Sequence, residues 1–170
     1  MKPKVMISWS SGKDSCYSLM EILKNDTYQV AGLLTTVTRA FNRVSMHGVR
    51  EALLEKQAEE LHLPLMKAEI PSPCSNLQYE QIMRGVMERI KSMGISHMVF
   101  GDIFLEDIRK YREEKLAPTG ITPIFPLWGR NPKKLVLIVF QYLHQRIAGV
   151  LSGAPGNHHF GCHSNLDYSK

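Results

Sequence analysis

Residues 5–20, VMISWSSGKDSCYSLM, contain an apolar run, a polar stretch and an amphipathic run in succession. The apolar run 5–9 predicts a strand, and residues 14–23 predict a helix because their apolar side chains recur at the spacing of one helical face. The stretch SSGKDS, residues 10–15, separates the two. A plain strand-to-helix connection needs only a glycine and a capping residue. The surplus of hydroxyl, amino and carboxyl groups indicates that this loop binds a ligand.

The rest of the chain repeats this alternation of strand and helix. Apolar runs predict further strands at 30–37, 65–70, 97–100 and 120–125, and amphipathic patterns predict helices at 48–61, 79–90 and 104–116. This order is typical of α/β proteins, in which a parallel sheet has helices on both faces. We predict one domain over residues 1–130. Residues 131–170 are predicted to form a C-terminal helix and an atypical tail, which we expect to be truncated or disordered.

Composition excludes several classes of protein. An apolar fraction of 44% with 22% charged residues indicates a globular chain, and no apolar window is long enough to cross a membrane. The net charge of +5 is mild and is not gathered into a basic stripe, so we expect no nucleic-acid partner. The three cysteines lack paired spacing and suit the reducing cytoplasm, where we expect the protein.

Polar clusters follow three of the predicted strands. They are SSGKDS at 10–15, TTVTRAFNR at 35–43 and GDIFLED at 101–107. In a parallel α/β sheet, ligands bind beyond the carboxyl ends of the strands. The topology therefore brings three clusters that are distant in sequence to one edge of the sheet, and this edge is the predicted site.

The first cluster has the groups that a phosphate-binding loop uses. A helix start offers free N–H groups and a partial positive charge, serine hydroxyls donate to phosphate oxygens, and a glycine allows close approach. Lys13 can add positive charge. Asp14 fits either a helix cap or a ligand for the Mg²⁺ that accompanies a nucleotide. The simpler alternative, a capped helix with a polar loop, accounts for Asp14 but not for three serines around a glycine.

The Walker pattern does not fit this loop, because Asp14 stands where that pattern requires Ser or Thr. Instead, SSGKDS resembles the PP-loop of the N-type ATP pyrophosphatases, usually Ser-Gly-Gly-x-Asp-Ser, with Ser11 in place of the first glycine. The segments LLTTV, PCSNLQYE, FGDIFLEDIRKYREEKL and GITPIFPLWGR resemble the diphthine–ammonia ligase family and its bacterial relatives, over residues 1–130. The resemblance implies an adenine nucleotide alpha hydrolase-like (Rossmann-like) three-layer sandwich with a five-stranded parallel sheet.

The resemblance also implies an activity. The family activates a carboxylate with ATP and attaches ammonia, with release of AMP and pyrophosphate. We therefore expect ATP and Mg²⁺ as cofactors, with ammonia and a small-molecule or protein-borne carboxylate as substrates. Carried over to this sequence, the pyrophosphate is held by Ser10, Ser11, Gly12, Asp14 and Ser15, and Lys13 is a further candidate for binding the nucleotide. Backbone near Trp9, Thr35 and Gly101 receives the adenosine, and Asp14 is the candidate ligand for Mg²⁺.

The other two clusters supply further candidates. Asp102 follows a glycine at a strand end, and Arg109 and Arg112 share a helical face that can clamp an anion. We predict catalytic roles for Asp14, Asp102 and Arg109, and acceptor binding by Arg39, Glu106 and Arg112. For the charged helix the alternative is a solvated surface with salt bridges. For Arg39, in a loop with Phe41 and His47, a solvated loop is the alternative to a mobile lid.

Two other functions remain open from the sequence. The first is a PP-loop enzyme that modifies or thiolates tRNA, which needs Cys74 or Cys162 as a sulfur carrier. The second is a non-catalytic nucleotide-binding module. The tail stretch HHFGCH, residues 158–163, has metal-type ligands but no second ligand pair. A homodimer is also kept open.

Overall fold

The computed structural model describes residues 1–38 and 49–137, and the backbone alone of residues 43 and 44. The predictions for Arg39, Phe41, His47, Cys162 and the tail lie outside these residues. The strands are β1 (Lys4–Ser8), β2 (Gln29–Thr38), β3 (Arg43–Val44), β4 (Leu65–Ile70), β5 (Ile95–Val99) and β6 (Thr122–Ile124). The helices are α1 (Lys13–Lys24), α2 (Glu51–Leu61), α3 (Asn76–Ser92) and α4 (Glu106–Leu116), and residues 132–137 are also helical.

Five of the strands form one parallel sheet in the order β4-β2-β1-β5-β6. The two-residue strand β3 pairs antiparallel with Val37 and Thr38, at the end of β2. Each pair of sequential parallel strands is joined by a helix, as a parallel connection requires. The predicted α/β class and its five-stranded parallel sheet are therefore confirmed.

The sheet is covered on both faces. One core lies under α1 and α2 and contains Ile7, Trp9, Leu19, Leu33 and Leu54. The other lies under α3 and α4 and contains Met6, Leu34, Ile90, Met98 and Leu116. Adjacent residues of one strand fall in different cores because side chains alternate across a strand. Burial on both faces explains why these strands appear in the sequence as near-continuous apolar runs.

All four helices α1 to α4 begin at other residues than the sequence predicts. Helix α3 begins at Asn76 rather than at 79, because Ser75 caps it with its side chain. Helix α1 has Gly12 as its N-cap and starts at Lys13, so Asp14 lies in the first turn and is not the cap. Helix α2 begins at Glu51 rather than at residue 48, because Arg50 is extended. Helix α4 begins at Glu106 rather than at 104, because Leu105 is extended. Within the described residues, no helix is long and apolar enough to cross a membrane.

The residues after β6 pack back onto α1. Leu127 and Leu135 are buried with Tyr17 and Ile103 in a small third core. The predicted helix start at Asn131 is confirmed: its side-chain oxygen accepts a hydrogen bond from the Lys133 N–H over 2.9 Å, and residues 132–137 are helical. The division of the chain at residue 130 stays a prediction.

Candidate functional site at the carboxyl edge of the sheet

The loop between β1 and α1 is held in shape by its own hydroxyl groups. Ser10 Oγ donates to Ser15 Oγ over 3.2 Å, and Ser15 Oγ donates to the Gly12 carbonyl oxygen over 2.9 Å. The Gly12 N–H points back to Ser10 Oγ at 3.4 Å. The loop is therefore closed on itself, with Ser15 buried beneath it and Ser10 and Ser11 half-buried.

The start of α1 is open to an anion. Its first intrahelical hydrogen bond runs from the Cys16 N–H to the Gly12 oxygen, and no side chain caps the helix. The N–H groups of Lys13, Asp14 and Ser15 therefore have no acceptor within the helix. Together with the helix dipole, these groups form the kind of site that binds phosphate. The exposed side chains of Lys13 and Asp14 pair with each other at 2.5 Å.

Gly101 brings the end of β5 against this loop. A Cβ atom at residue 101 would lie 3.0 Å from the carbonyl carbon of Asp14, 3.1 Å from its oxygen and 3.2 Å from the Ser15 nitrogen. Only a residue without a side chain allows this approach to the first turn of α1. The structure thus joins two of the predicted clusters, and it gives Gly101 a packing role that the sequence does not indicate.

Thr35 carries a buried hydroxyl at the carboxyl end of the sheet. The residue is 2% exposed, and its Oγ1 has no hydrogen-bond partner among the described residues. Thr35 lies beside the loop, because the preceding residue, Leu34, accepts a hydrogen bond from the Trp9 N–H over 2.7 Å. Buried hydroxyls are nearly always bonded. An orphaned hydroxyl at the predicted adenosine position fits a ligand with a polar group there.

Trp9 is fixed by the protein itself. Its ring is 4% exposed in the core under α1 and α2, and the indole Nε1 donates to Gln57 Oε1 over 3.1 Å. Its backbone N–H already bonds to Leu34. Any part of Trp9 in adenosine binding, which stays a prediction, is therefore left to its carbonyl group.

Asp102 and Arg112 form an ion pair at the end of β5. Arg112 Nε donates to Asp102 Oδ2 over 2.6 Å, and its Nη2 lies 3.4 Å from Oδ1. The guanidinium carbon stands 4.2 Å from the centroid of the Phe100 ring. Both side chains are mostly buried. A predicted catalytic acid and a predicted acceptor-binding residue therefore come together, with the arginine oriented by the carboxylate and the ring.

Arg109 lies on α4, as Arg112 does, and its guanidinium faces the rings of Phe125 and Trp128. Its Nε donates to Glu113 over 2.8 Å, and its guanidinium carbon stands 5.1 Å from the Phe125 centroid and 4.7 Å from the Trp128 centroid. Cation–π contacts of this kind hold a guanidinium in a fixed plane. Arg109 does not contact Asp102. Glu106 is exposed in the first turn of α4.

Other site residues were not predicted from the sequence. Arg130 Nη2 lies 2.5 Å from Glu21, and its Nη1 contacts the Tyr17 hydroxyl at 3.4 Å, so the PLWGR segment is tied to α1. Tyr79 lies near Cys74 and Arg112, and burial raises its pKa, with Tyr111 adding to the rise and Arg112 opposing it. The local signals were the tryptophan and arginine of PLWGR and the tyrosine of QYE.

A metal at this edge would have few protein ligands. Among the described residues, no group of three His, Cys, Asp or Glu side chains is placed to hold a metal ion. Asp14 is the acidic residue in the first turn of α1, beside the N–H groups at the helix start. A single carboxylate suits Mg²⁺, which keeps several waters and shares its coordination with substrate phosphates.

Ser11 adopts a left-handed backbone, with φ of +67°. The PP-loop usually has glycine at this position. The left-handed conformation explains that preference, because glycine adopts it without steric cost. We expect Ser11→Gly to stabilise the protein by up to about 1 kcal/mol, because glycine adopts this φ without the steric cost of a side chain. Urea unfolding of the parent and the variant measures this.

The matched control for that variant is Ser10→Gly. Ser10 is not among the residues with positive φ, so glycine there relieves no strain. It adds freedom to the unfolded chain and removes the hydrogen bonds of the Ser10 hydroxyl with Ser15 and Gly12, so it should destabilise. A lower unfolding midpoint for Ser11→Gly than for the parent would contradict the strain assigned to Ser11.

Comparison with known proteins agrees with this geometry. A family model described as diphthamide synthase N-terminal domain matches residues 1–121. A solved structure titled as the predicted subunit of a tRNA methyltransferase from Methanocaldococcus jannaschii is similar with a TM-score of 0.51 and 19% identity, over 82% of this chain and 76% of that one. At that identity the likeness shows the fold alone. No curated protein matches. Since the family model covers most of the sequence, the chain belongs to the diphthamide synthase N-terminal domain family of ATP-dependent PP-loop enzymes.

Proposed function

We propose that the protein is an ATP-dependent ligase that adenylates a carboxylate and converts it to an amide with ammonia, releasing AMP and pyrophosphate. The observation that carries the proposal is the meeting, at one sheet edge, of an uncapped helix start with the orphaned Thr35 hydroxyl and the close-packed Gly101. Family membership supports the use of ATP. The amide-forming reaction is our inference from the resemblance of the motifs to the diphthine–ammonia ligases.

The β- and γ-phosphates would lie against the start of α1. The N–H groups of Lys13, Asp14 and Ser15 donate there without competition from the helix, and the hydroxyls of Ser10 and Ser11 add further donors. These groups are fixed before the nucleotide arrives, so they need little reorganisation as charge develops on the leaving pyrophosphate. Mg²⁺ bound by Asp14 would neutralise phosphate charge.

Breaking the ion pair between Asp14 and Lys13 costs little free energy. Both side chains of this ion pair are exposed to solvent. An exposed ion pair contributes little to the stability of the fold. Asp14 can therefore leave Lys13 for a metal, while the freed ammonium turns to a phosphate. Both side chains would then interact with the nucleotide, Asp14 through the metal ion and Lys13 through a phosphate.

The acceptor carboxylate would lie on the α4 side of the edge. Arg109 and Arg112 are two cations of α4, and the guanidinium of each lies over an aromatic ring, Trp128 and Phe100 respectively. A planar guanidinium recognises a carboxylate by two parallel hydrogen bonds. Asp102 neutralises part of the Arg112 charge and orients it, so Arg109 is the better candidate for direct contact with the acceptor.

The experiment that tests this function is product analysis. The protein is incubated with ATP, Mg²⁺, ammonium and a panel of carboxylates, and nucleotides are separated by chromatography. We expect AMP and pyrophosphate in equal amounts, formed only when a suitable carboxylate is present. Release of ADP and inorganic phosphate would contradict the proposal.

Thr35→Val should separate ligand binding from folding. Valine has nearly the same shape but no hydroxyl, so the variant removes a buried group that has no hydrogen-bond partner among residues 1–38 and 49–137. We expect stability to rise by about 1 kcal/mol and ATP affinity to fall about tenfold, the effect of one lost hydrogen bond. Thermal unfolding without ligand and calorimetric titration with ATP measure the two effects.

Thr35→Ser is the matched control, because it keeps the hydroxyl and loses only a methyl group. It should bind ATP nearly as the parent does and be less stable, since a buried methyl is removed. If Thr35→Val binds ATP as tightly as the parent, the hydroxyl does not face the nucleotide.

A further inference from the structure

We propose that Trp128 is a positioning residue for the acceptor: its ring holds the guanidinium of Arg109 in the plane in which the two terminal amino groups bind a carboxylate. The inference rests on the acceptor site that the proposed function assigns to α4. It gives a part in the reaction to a side chain outside the three polar clusters of the sequence.

The contacts of Arg109 leave its terminal amino groups for a ligand. Among the described residues, the hydrogen-bond partner of this side chain is Glu113, to which Nε donates over 2.8 Å. The guanidinium carbon lies 4.7 Å from the centroid of the Trp128 ring and 5.1 Å from that of Phe125. The Arg109 side chain is 38% exposed, so a ligand can reach it. Two amino groups in one plane match the two oxygens of a carboxylate.

The ion pair with Glu113 is too exposed to fix the arginine by itself. Glu113 lies one helical turn after Arg109, and its side chain is 45% exposed. Such a pair contributes little. An arginine that is free to move loses rotamer freedom when a ligand binds, and this entropy cost lowers the affinity. A ring that restricts Arg109 before the acceptor arrives removes part of that cost.

Of the two rings near Arg109, that of Trp128 is the one that the core does not use. Phe125 packs against the core under α3 and α4 and stacks on Phe100, with centroids 5.7 Å apart. Trp128 is half-buried and belongs to none of the three cores of the described residues. Tryptophan also gives the strongest cation–π contact of the aromatic side chains. The place of Trp128 is therefore explained by its contact with Arg109 rather than by core packing.

The backbone next to Trp128 is anchored to the nucleotide side of the site. The Gly129 N–H donates to the carbonyl oxygen of Ile103, in the loop after β5, over 2.8 Å. Arg130 pairs with Glu21 of α1 at 2.5 Å. Since α1 follows the loop proposed to bind the phosphates, this segment holds the acceptor arginine at a fixed place relative to that loop.

Titration with sodium acetate, followed by NMR of the full chain with isotope-labelled arginine, tests the inference. The Arg109 Nε signal is assigned by its absence in Arg109→Lys, and sodium chloride at equal ionic strength is the control for salt. We expect acetate to shift this signal saturably in the parent. Trp128→Leu should raise the acetate Kd about tenfold, and Trp128→Phe, which keeps a ring, about threefold or less.

Two further readouts separate positioning from a general structural effect. Glu113→Gln should leave the acetate Kd within about threefold of the parent's, because an exposed ion pair contributes little. In the ligase reaction, Trp128→Leu should raise the KM for the acceptor about tenfold and leave the KM for ATP unchanged. Circular dichroism shows that each variant is folded, and a second variant without a ring, Trp128→Met, takes the place of Trp128→Leu if that one does not fold.

The outcomes distinguish this inference from the proposed function. An acetate Kd in the ringless variant equal to the parent's would overturn the inference, whatever products the enzyme forms. So would a parent Arg109 signal that acetate shifts no more than chloride, or a loss of binding that is as large in Trp128→Phe as in Trp128→Leu. Acetate binding that depends on the ring supports the inference even in a protein that forms no amide, and the proposed reaction alone would then be rejected.

Discussion

Gly101→Val is expected to lower ATP turnover about a hundredfold while the protein still folds. The added side chain meets the backbone of Asp14 and Ser15, where even a single Cβ would lie at 3.0–3.2 Å. The start of α1 must then move, and displacement of a catalytic site by about 1 Å costs on the order of a hundredfold in rate. Overpacking should reduce stability by about 1–3 kcal/mol. Steady-state kinetics and urea unfolding measure both effects.

The matched control is Gly85→Ala in the exposed part of α3. A Cβ there has no atom within 4 Å, and alanine favours a helix interior over glycine by about 1 kcal/mol. This variant should be more stable and equally active. Gly101→Ala should fall between Gly101→Val and the parent. Unchanged turnover in Gly101→Val would show that the position of α1 does not govern the reaction.

Asp14→Asn is expected to reduce Mg²⁺-dependent turnover about a hundredfold or more, the scale of losing one charge-stabilising group at a reacting centre. Stability should change by no more than about 1 kcal/mol, because Asp14 is not the cap and contributes only a charge in the first turn. ATP affinity without metal should stay the same or rise, since a negative charge near the phosphates is removed. Titration with and without Mg²⁺ separates these effects.

Asp26→Asn is the control for charge alone. Asp26 is exposed, pairs with Lys2 and lies in the turn after α1, at the opposite end of that helix from the loop. It should leave turnover and Mg²⁺ dependence unchanged. An Asp14→Asn enzyme with parental Mg²⁺ dependence would remove Asp14 from the metal site.

The order and type of the elements could be predicted because each depends on local pattern. Apolar runs set the strands, and helical spacing set α1 to α4. The helix starts were less accurate, since caps depend on the backbone: Gly12 caps α1 with no side chain, and Leu105 is extended where the pattern continues.

The contents of the site were predictable only as residue types. The sequence could place Asp102 and Arg112 at one edge, but not their ion pair, which depends on how α4 rotates above Phe100. It could not show that the Thr35 hydroxyl lacks a partner within the described part of the chain, or that Gly101 packs against α1. Such facts arise from contacts between segments far apart in the chain, and no local pattern records them.

We propose that the loop after β1 binds the phosphates of ATP. Calorimetric titration of the parent with ATP and Mg²⁺, repeated in the presence of pyrophosphate, tests it most directly. We expect saturable binding at one site per chain, weakened competitively by pyrophosphate and much less by adenosine, because the helix start provides the charge-assisted contacts. Absence of saturable binding, or ATP binding that pyrophosphate does not weaken, would contradict the claim.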